Sequence, residues 1–134
     1  MPTRTTVHAA IDQKAQTVFS GSGYPLVFGN QSDLAYSQAN TTFVRVKVFF
    51  SGSNQISLGD QDKKRIHGYI LFTIFVKQGA GDEHRNLIAE LISDNFCLTT
   101  IGGATLWGSN EMPSQDTENW CMSGVQIPFY YDEV

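Results

Sequence analysis

Charge is scarce in this sequence. Asp, Glu, Lys and Arg make up 16% of its 134 residues, against about 25% in an ordinary soluble domain. The surface those charges leave must be neutral, and Ser, Thr, Asn, Gln and Gly are there to fill it, which suits a subunit whose faces meet other subunits. Cations are the scarcer sign: nine Lys and Arg stand against 13 Asp and Glu, for a net charge of −4. The densest basic run, Lys63-Lys64-Arg65, follows Asp60 and Asp62, which nearly cancel it. Wrapping nucleic acid takes several basic side chains on one face, so the composition argues against it. Cysteine is limited to Cys97 and Cys121, with no C-x-x-C pair and no metal-site spacing to His8, His67 or His84. The start MPTRTTVHAA has no apolar run of the signal-peptide kind. The expectation is a reducing compartment and two free thiols packed as small hydrophobes. No apolar run is long enough to cross a membrane: Tyr69 to Val76 is short and is bounded by Gly68 and Lys77. No internal repeat or low-complexity tail is present.

Catalytic signatures are lacking too. There is no G-x-S-x-G, no H-E-x-x-H and no Cys-His pattern, and the three histidines are far apart in the sequence. Gly79-Ala80-Gly81 ahead of a helical pattern invites a phosphate site, because glycines let backbone N–H groups approach an anion at a helix N-terminus. The rest of that fingerprint is missing: His84 stands where a third glycine belongs, no G-K-[ST] follows, and Asp82 and Glu83 would repel the anion. The segment reads as a strand-to-helix turn with Asp82 as N-cap. The chain is expected to be no enzyme and to hold no cofactor, catalytic residue or metal. A nucleotide or phosphate binder built on Gly79 to Asp82 is kept as the alternative of a different class.

What is present is periodicity. A chain of this length is expected to form one domain with one core, burying roughly two-thirds of its unfolded surface. Val7, Ala10, Ile11, Ala15 and Val18 recur at helical spacing and predict a helix near residues 5 to 19, capped by Thr5 or Thr6 and stopped by Gly21 and Gly23. Its Val18-Phe19 end is expected to pack on a sheet. Tyr24 to Phe28 predicts a short strand, placed at an edge or strand start by Pro25. Gly29 to Thr42 reads as a polar loop. It contains two glycosylation-type triplets, at Asn30 and Asn40, which without a secretory signal are read as plain loop. Phe43 to Phe50 alternates, with Val44, Val46, Val48 and Phe50 on one face and Phe43, Arg45, Lys47 and Phe49 on the other. This is the pattern of a half-buried strand whose outer face is partly covered by a partner. Gly68 to Val76 is apolar on both faces and predicts a central strand covered on both sides.

Ser51 to His67, between those strands, is too long for a tight hairpin and predicts a projecting polar arm, with Ile56 to Leu58 available to extend the ladder. A second helix is expected to run to about Phe96 with Leu87, Ile88, Leu91, Ile92 and Phe96 as its apolar stripe. Cys97 to Trp107 predicts a strand region interrupted by a turn or bulge at Gly102-Gly103. Ser109 to Asn119 reads as a polar loop. Trp120 to Tyr131 predicts a final strand, put at an edge or beside a bulge by Pro128. The expected fold class is α+β: a mostly antiparallel sheet packed by two helices, with a long projecting β-hairpin or loop.

Taken in order, FVRVKVFF (Phe43 to Phe50), GYILFTIFV (Gly68 to Val76), GAGDEHRNLIAELISDNF (Gly79 to Phe96) and WCMSGVQIPFYYDE (Trp120 to Glu133) resemble the tail-terminator, or tail-completion, proteins of long-tailed bacteriophages. The likeness extends over nearly the whole chain and lies in pattern and segment order. It implies a virion structural protein, made in the host cytoplasm, whose copies close head to tail into a ring, most simply a hexamer matching the tail tube. Such a ring caps the tube, stops its growth and presents the surface on which head connector or neck proteins dock. The corresponding hairpin or loop of that family contacts a neighbouring subunit or faces the channel. The resemblance thus makes Asp60, Asp62, Lys63, Lys64, Arg65, Tyr130, Asp132 and Glu133 candidates for interface or lumen positions. Genomic DNA would pass through without specific binding, since six copies at −4 carry roughly −24. A neck or head-completion ring subunit is the alternative role within the same ring logic.

Overall fold

The computed structural model of the chain describes residues 3–29, 42–55, 64–77, 83–116 and 120–133. The two glycosylation-type triplets, Ile56 to Leu58, the group from Asp60 to Lys63 and the Gly79–Asp82 turn with its expected cap lie outside these, apart from Thr42.

Helix α1 spans Arg4–Ser20, within one residue of the expected bounds at each end. Its cap is Thr3, not Thr5 or Thr6. The Thr6 N–H donates to Thr3 Oγ1 at 3.2 Å and the Thr3 N–H donates to Thr6 Oγ1 at 2.8 Å. Two otherwise orphaned backbone donors are thereby satisfied reciprocally. Val7, Ile11, Ala15 and Phe19 fall four apart along the helix and are its buried residues.

Seven strands follow: β1 (Leu26–Phe28), β2 (Phe43–Gln55), β3 (Lys64–Lys77), β4 (Thr100–Ile101), β5 (Ala104–Leu106), β6 (Asn110–Asp116) and β7 (Trp120–Glu133), with helix α2 (Glu83–Phe96) between β3 and β4. They form one sheet in the order β1-β2-β3-β7-β5-β4, with β6 also on β7. Every pairing is antiparallel except the parallel β1–β2 contact. The fold is α+β, and β1 is at the edge that Pro25 predicted. The β2–β3 arm keeps its ladder past the predicted strand ends, from Gly52↔His67 to Gln55↔Lys64, after a register shift between Phe50 and Gly52.

Both helices lie on one face of the sheet. Val44 and Val46 of β2, Ile70, Phe72, Ile74 and Val76 of β3, and Val125, Ile127, Phe129 and Tyr131 of β7 meet the buried residues of α1 and α2 in one core. Phe72, fully buried, has Phe19 of α1 at 6.2 Å and Phe96 of α2 at 5.0 Å between ring centroids. From α2 only Ile88, Ile92 and Phe96 are buried. Leu87, expected in the same stripe, is 48% exposed: it is one residue, about 100° around the helix, from Ile88 and so turns outward.

Three further expectations are corrected. Asn110–Asp116 is a strand, not a loop. β3 is central but buried on one face only, its residues alternating strictly between buried and half-buried from Gly68 to Val76. β7 is an interior strand, flanked by β3 on one side and by β5 and β6 on the other.

Pro128 is accommodated there by a gap in the ladder. The Trp107 N–H donates to the Pro128 carbonyl at 2.9 Å. A strand residue's N–H and C=O point to the same side, so the missing N–H of Pro128 faces Trp107 as well. The Trp107 carbonyl that it would have met accepts instead from the Leu98 N–H at 3.3 Å. Gly102 and Gly103, with φ of 60° and 89°, form the two-residue turn joining β4 to β5. A side chain at Gly102 would also collide with Ala10 of α1.

Candidate assembly surface

Side chains alternate across a strand, so the residues that β2, β3 and β7 do not give to the helices face the other way. The register lines them up in cross-strand rows: Phe43 with Phe75 and Met122, Arg45 with Thr73 and Gly124, Lys47 with Leu71 and Gln126, and Phe49 with Tyr69 and Pro128. Aromatic pairs dominate this outer face. Phe43 stacks on Phe75 with ring centroids 4.5 Å apart, and Trp120 stands edge-on to Phe43 at 5.5 Å. Phe49 stacks on Tyr69 at 4.8 Å. Phe43 is buried, whereas Phe49, Tyr69, Leu71, Phe75 and Met122 are only half-buried. With both described helices on the far side, these apolar side chains, interrupted by the Arg45-Thr73 row, therefore stay in contact with water, where each Å² that became buried would stabilise an association by about 25 cal/mol.

At one end of this face, where the β2–β3 arm begins, three of the five predicted site residues that are described come together. Arg65 donates from Nε to Asp132 Oδ1 at 2.9 Å and from a terminal nitrogen to Oδ2 at 3.2 Å. Its guanidinium lies 4.4 Å from the centroid of the Tyr130 ring, which packs against Trp107 at 5.4 Å. The hydrogen bonds to Asp132 raise the Arg65 pKa above its already high usual value, so the cation is permanent. Lys64 lies opposite Glu133 in the β3–β7 register and so belongs to the other face of the same strand ends. Asp60, Asp62 and Lys63 are outside the described residues.

Sequence reasoning missed Trp107, which is 46% exposed. Its hydrophobic signal was absorbed into the expected strand of residues 97–107. It also missed the outward turn of Leu87. The signal for that was available: Leu87 is in phase with Glu83, Glu90 and Asp94 at intervals of four, three and four residues, a polar stripe on one side of the helix.

Chemistry-bearing side chains elsewhere pair off without converging. His84 Nδ1 and the Tyr24 hydroxyl share a hydrogen bond of 2.9 Å, tying α2 to the segment before β1. His8 Nε2 is 3.3 Å from Asp12 Oδ2 one turn along α1. Burial raises the Asp12 pKa, and the neighbouring His8 opposes that shift. Cys97 and Cys121 are not joined in a disulfide, and both are half-buried. Among the described residues no three His, Cys, Asp or Glu side chains are grouped to hold a metal, and no helix is long and apolar enough to cross a membrane.

No protein-family model matches the sequence. No curated protein matches it at a significant level. The fold does recur among solved structures. One of 12% sequence identity superposes with a TM-score of 0.68, over 96% of this chain and 94% of that one. At that identity the likeness is one of fold, and its near-complete coverage extends to the helices as well as the sheet.

Proposed function

We propose that this chain is a structural subunit of a long-tailed bacteriophage virion, a ring-forming protein that ends the tail tube and offers the surface on which the head joins. The observation that carries the reading is the aromatic face of the sheet that lies away from both described helices. A monomer has no evident use for stacked Phe49-Tyr69 and Phe43-Phe75 pairs at a half-wet surface, whereas a subunit with neighbours does. The segment order that resembles the tail-terminator family supports it too, with β2, the β2–β3 arm, β3, α2 and β7 forming the body of the fold. The role needs no bond-making step: it is met by two opposite surfaces, one for the tube and one for the head, and by closure around an axis. Six copies would match a six-fold tube.

Electron microscopy of the purified protein, alone and with tail tubes, tests this. The expected result is a six-fold annulus, seated at the head-proximal end of the tube. Phage lacking the protein would give tails of uncontrolled length or heads without tails. Normal length and joining in its absence, or an intact virion with no annular layer of this protein, would overturn the reading. A neck-ring role is separated from the terminator role by which particle, tail or head, first binds the protein.

A further inference from the structure

The two opposite sides of the subunit differ in charge as well as in shape. Helix α2 turns a stripe of Glu83, Leu87, Glu90 and Asp94 to solvent, all four exposed. At 100° per residue these positions fall within a narrow arc, opposite Ile88 and Ile92. The only Lys or Arg of the helix, Arg85, is half-buried on the other side. The outer face of the sheet has the reverse character. Lys47 and Lys77 are exposed there, and between their rows lie Phe43 with Phe75 and then Arg45 with Thr73, Leu71 standing opposite Lys47 itself. Its acidic residue among the rows described, Asp132, is already held by Arg65.

The dimensions correspond. Glu83 and Asp94 are eleven residues apart, or about 16 Å along the helix. Lys47 pairs with Leu71, and Lys77 is six residues further along β3, or about 20 Å away. Each surface therefore has charge on both sides of an apolar residue, Leu87 in one and Phe75 in the other.

Resting on the ring reading above, we infer that the outward stripe of α2 docks on the outer face of the sheet of a second copy of this chain, the face away from both described helices. The contact is heterologous, because the two surfaces are on opposite sides of one subunit, and each copy uses one of each, as a closed ring requires. Leu87 supplies the apolar knob, and the carboxylates of Glu83, Glu90 and Asp94 meet Lys47 and Lys77. Like-charge juxtaposition at such a contact is strongly unfavourable, so charge reversal reports on it directly.

Two double variants test this, E90K/D94K on the helix and K47E/K77E on the sheet. All four positions are exposed, so each variant keeps the parent's circular dichroism and melting temperature. Mass by light scattering is expected to show each double variant alone with association weakened more than ~100-fold at physiological salt. Mixed in equal amounts, the two variants restore assembly, because every contact then joins opposite charges. Only rings with an even number of copies can alternate in this way, so a hexamer is recovered.

Variants that assemble as the parent does would overturn this contact while leaving the ring reading intact. So would variants that form normal rings and fail only to join tubes, since that would give the face to a different partner. A parent that stays monomeric both alone and with tail tubes would overturn the ring reading, and this contact with it.

Discussion

Gly68 of β3 lies directly across from Phe129 of β7, whose ring occupies the space a side chain at position 68 would need. A Cβ there would fall 2.7 Å from Phe129 Cζ and would also collide with the backbone carbonyl oxygen of Phe49. The bare backbone is what lets an aromatic ring cover the strand at the point where the β2–β3 register shifts. Gly68→Ala forces either the ring or the β2 backbone to move, and the second cannot move cheaply. The expected loss is about 3 kcal/mol, read as a lower urea midpoint with an unchanged slope.

Leu98 is the one described non-glycine residue with positive φ, 56°, and its side chain is 81% exposed. It follows the end of α2, where the left-handed conformation turns the chain toward β4. A leucine there bears the steric cost of the conformation and buries little in return. Leu98→Gly is expected to stabilise the protein by about 1 kcal/mol, or roughly 4 °C in melting temperature. Scanning calorimetry decides it, and an unchanged or lower melting temperature counts against the strain.

How much of this was legible in the sequence depended on whether one strand or helix decided the outcome alone. Val44-Val46-Val48 and Ile70-Phe72-Ile74 announce their strands because a two-residue period needs no partner to be recognised. The NEMPSQD sequence of β6 has no β-branched or aromatic residue, and its strand conformation comes from lying against β7. Pro128 pointed to an edge or a bulge by a sound rule, but the gap between β5 and β6 that admits it is a property of three segments together. The apolar outer face of β3 pointed to cover on both sides. Periodicity registers that a face avoids water and is silent on whether a helix of the same chain or another molecule covers it. Arg65, Tyr130 and Asp132 were among the eight positions that the family resemblance implied, while their grouping and fork geometry required the β3–β7 register.

Tyr131 is almost fully buried beside the core, 2% exposed. Burial is the main cause raising its pKa above the usual 10.0, Glu133 adds to the shift, and Arg4 opposes it. The folded state therefore holds the phenolic proton more tightly than the unfolded chain does. Its contribution to stability is fully present below pH 10 and is lost as pH rises from there through the folded pKa. Tyr131→Phe, which cannot ionise, is expected to flatten the fall of melting temperature on that alkaline limb and to leave the profile between pH 6 and 9 parallel to the parent's. An unchanged alkaline limb would show that Tyr131 is not the group responsible.

Leu71 and Phe72 are adjacent in sequence and belong to opposite faces of β3, which makes them a matched pair for separating folding from assembly. Phe72 is enclosed by α1, α2 and the sheet, so Phe72→Ala leaves a cavity and is expected to cost about 3–5 kcal/mol in the isolated subunit. Phe72→Asp would bury an unpaired charge and prevent folding. Leu71 is half-buried on the face away from both described helices, where Leu71→Ser gives up less apolar burial and is expected to cost less than about 1.5 kcal/mol in the subunit. If that face is covered by another copy, the same Leu71→Ser change weakens assembly at subunit concentrations where the parent is fully associated. Denaturation of the subunit and light scattering of the assembly, measured on both variants, give two independent readings. A one-residue slip of β3 would exchange the two residues' faces and invert the order of their stabilities. An unaltered assembly in Leu71→Ser would mean that the apolar strip near position 71 adds nothing to the contact between copies.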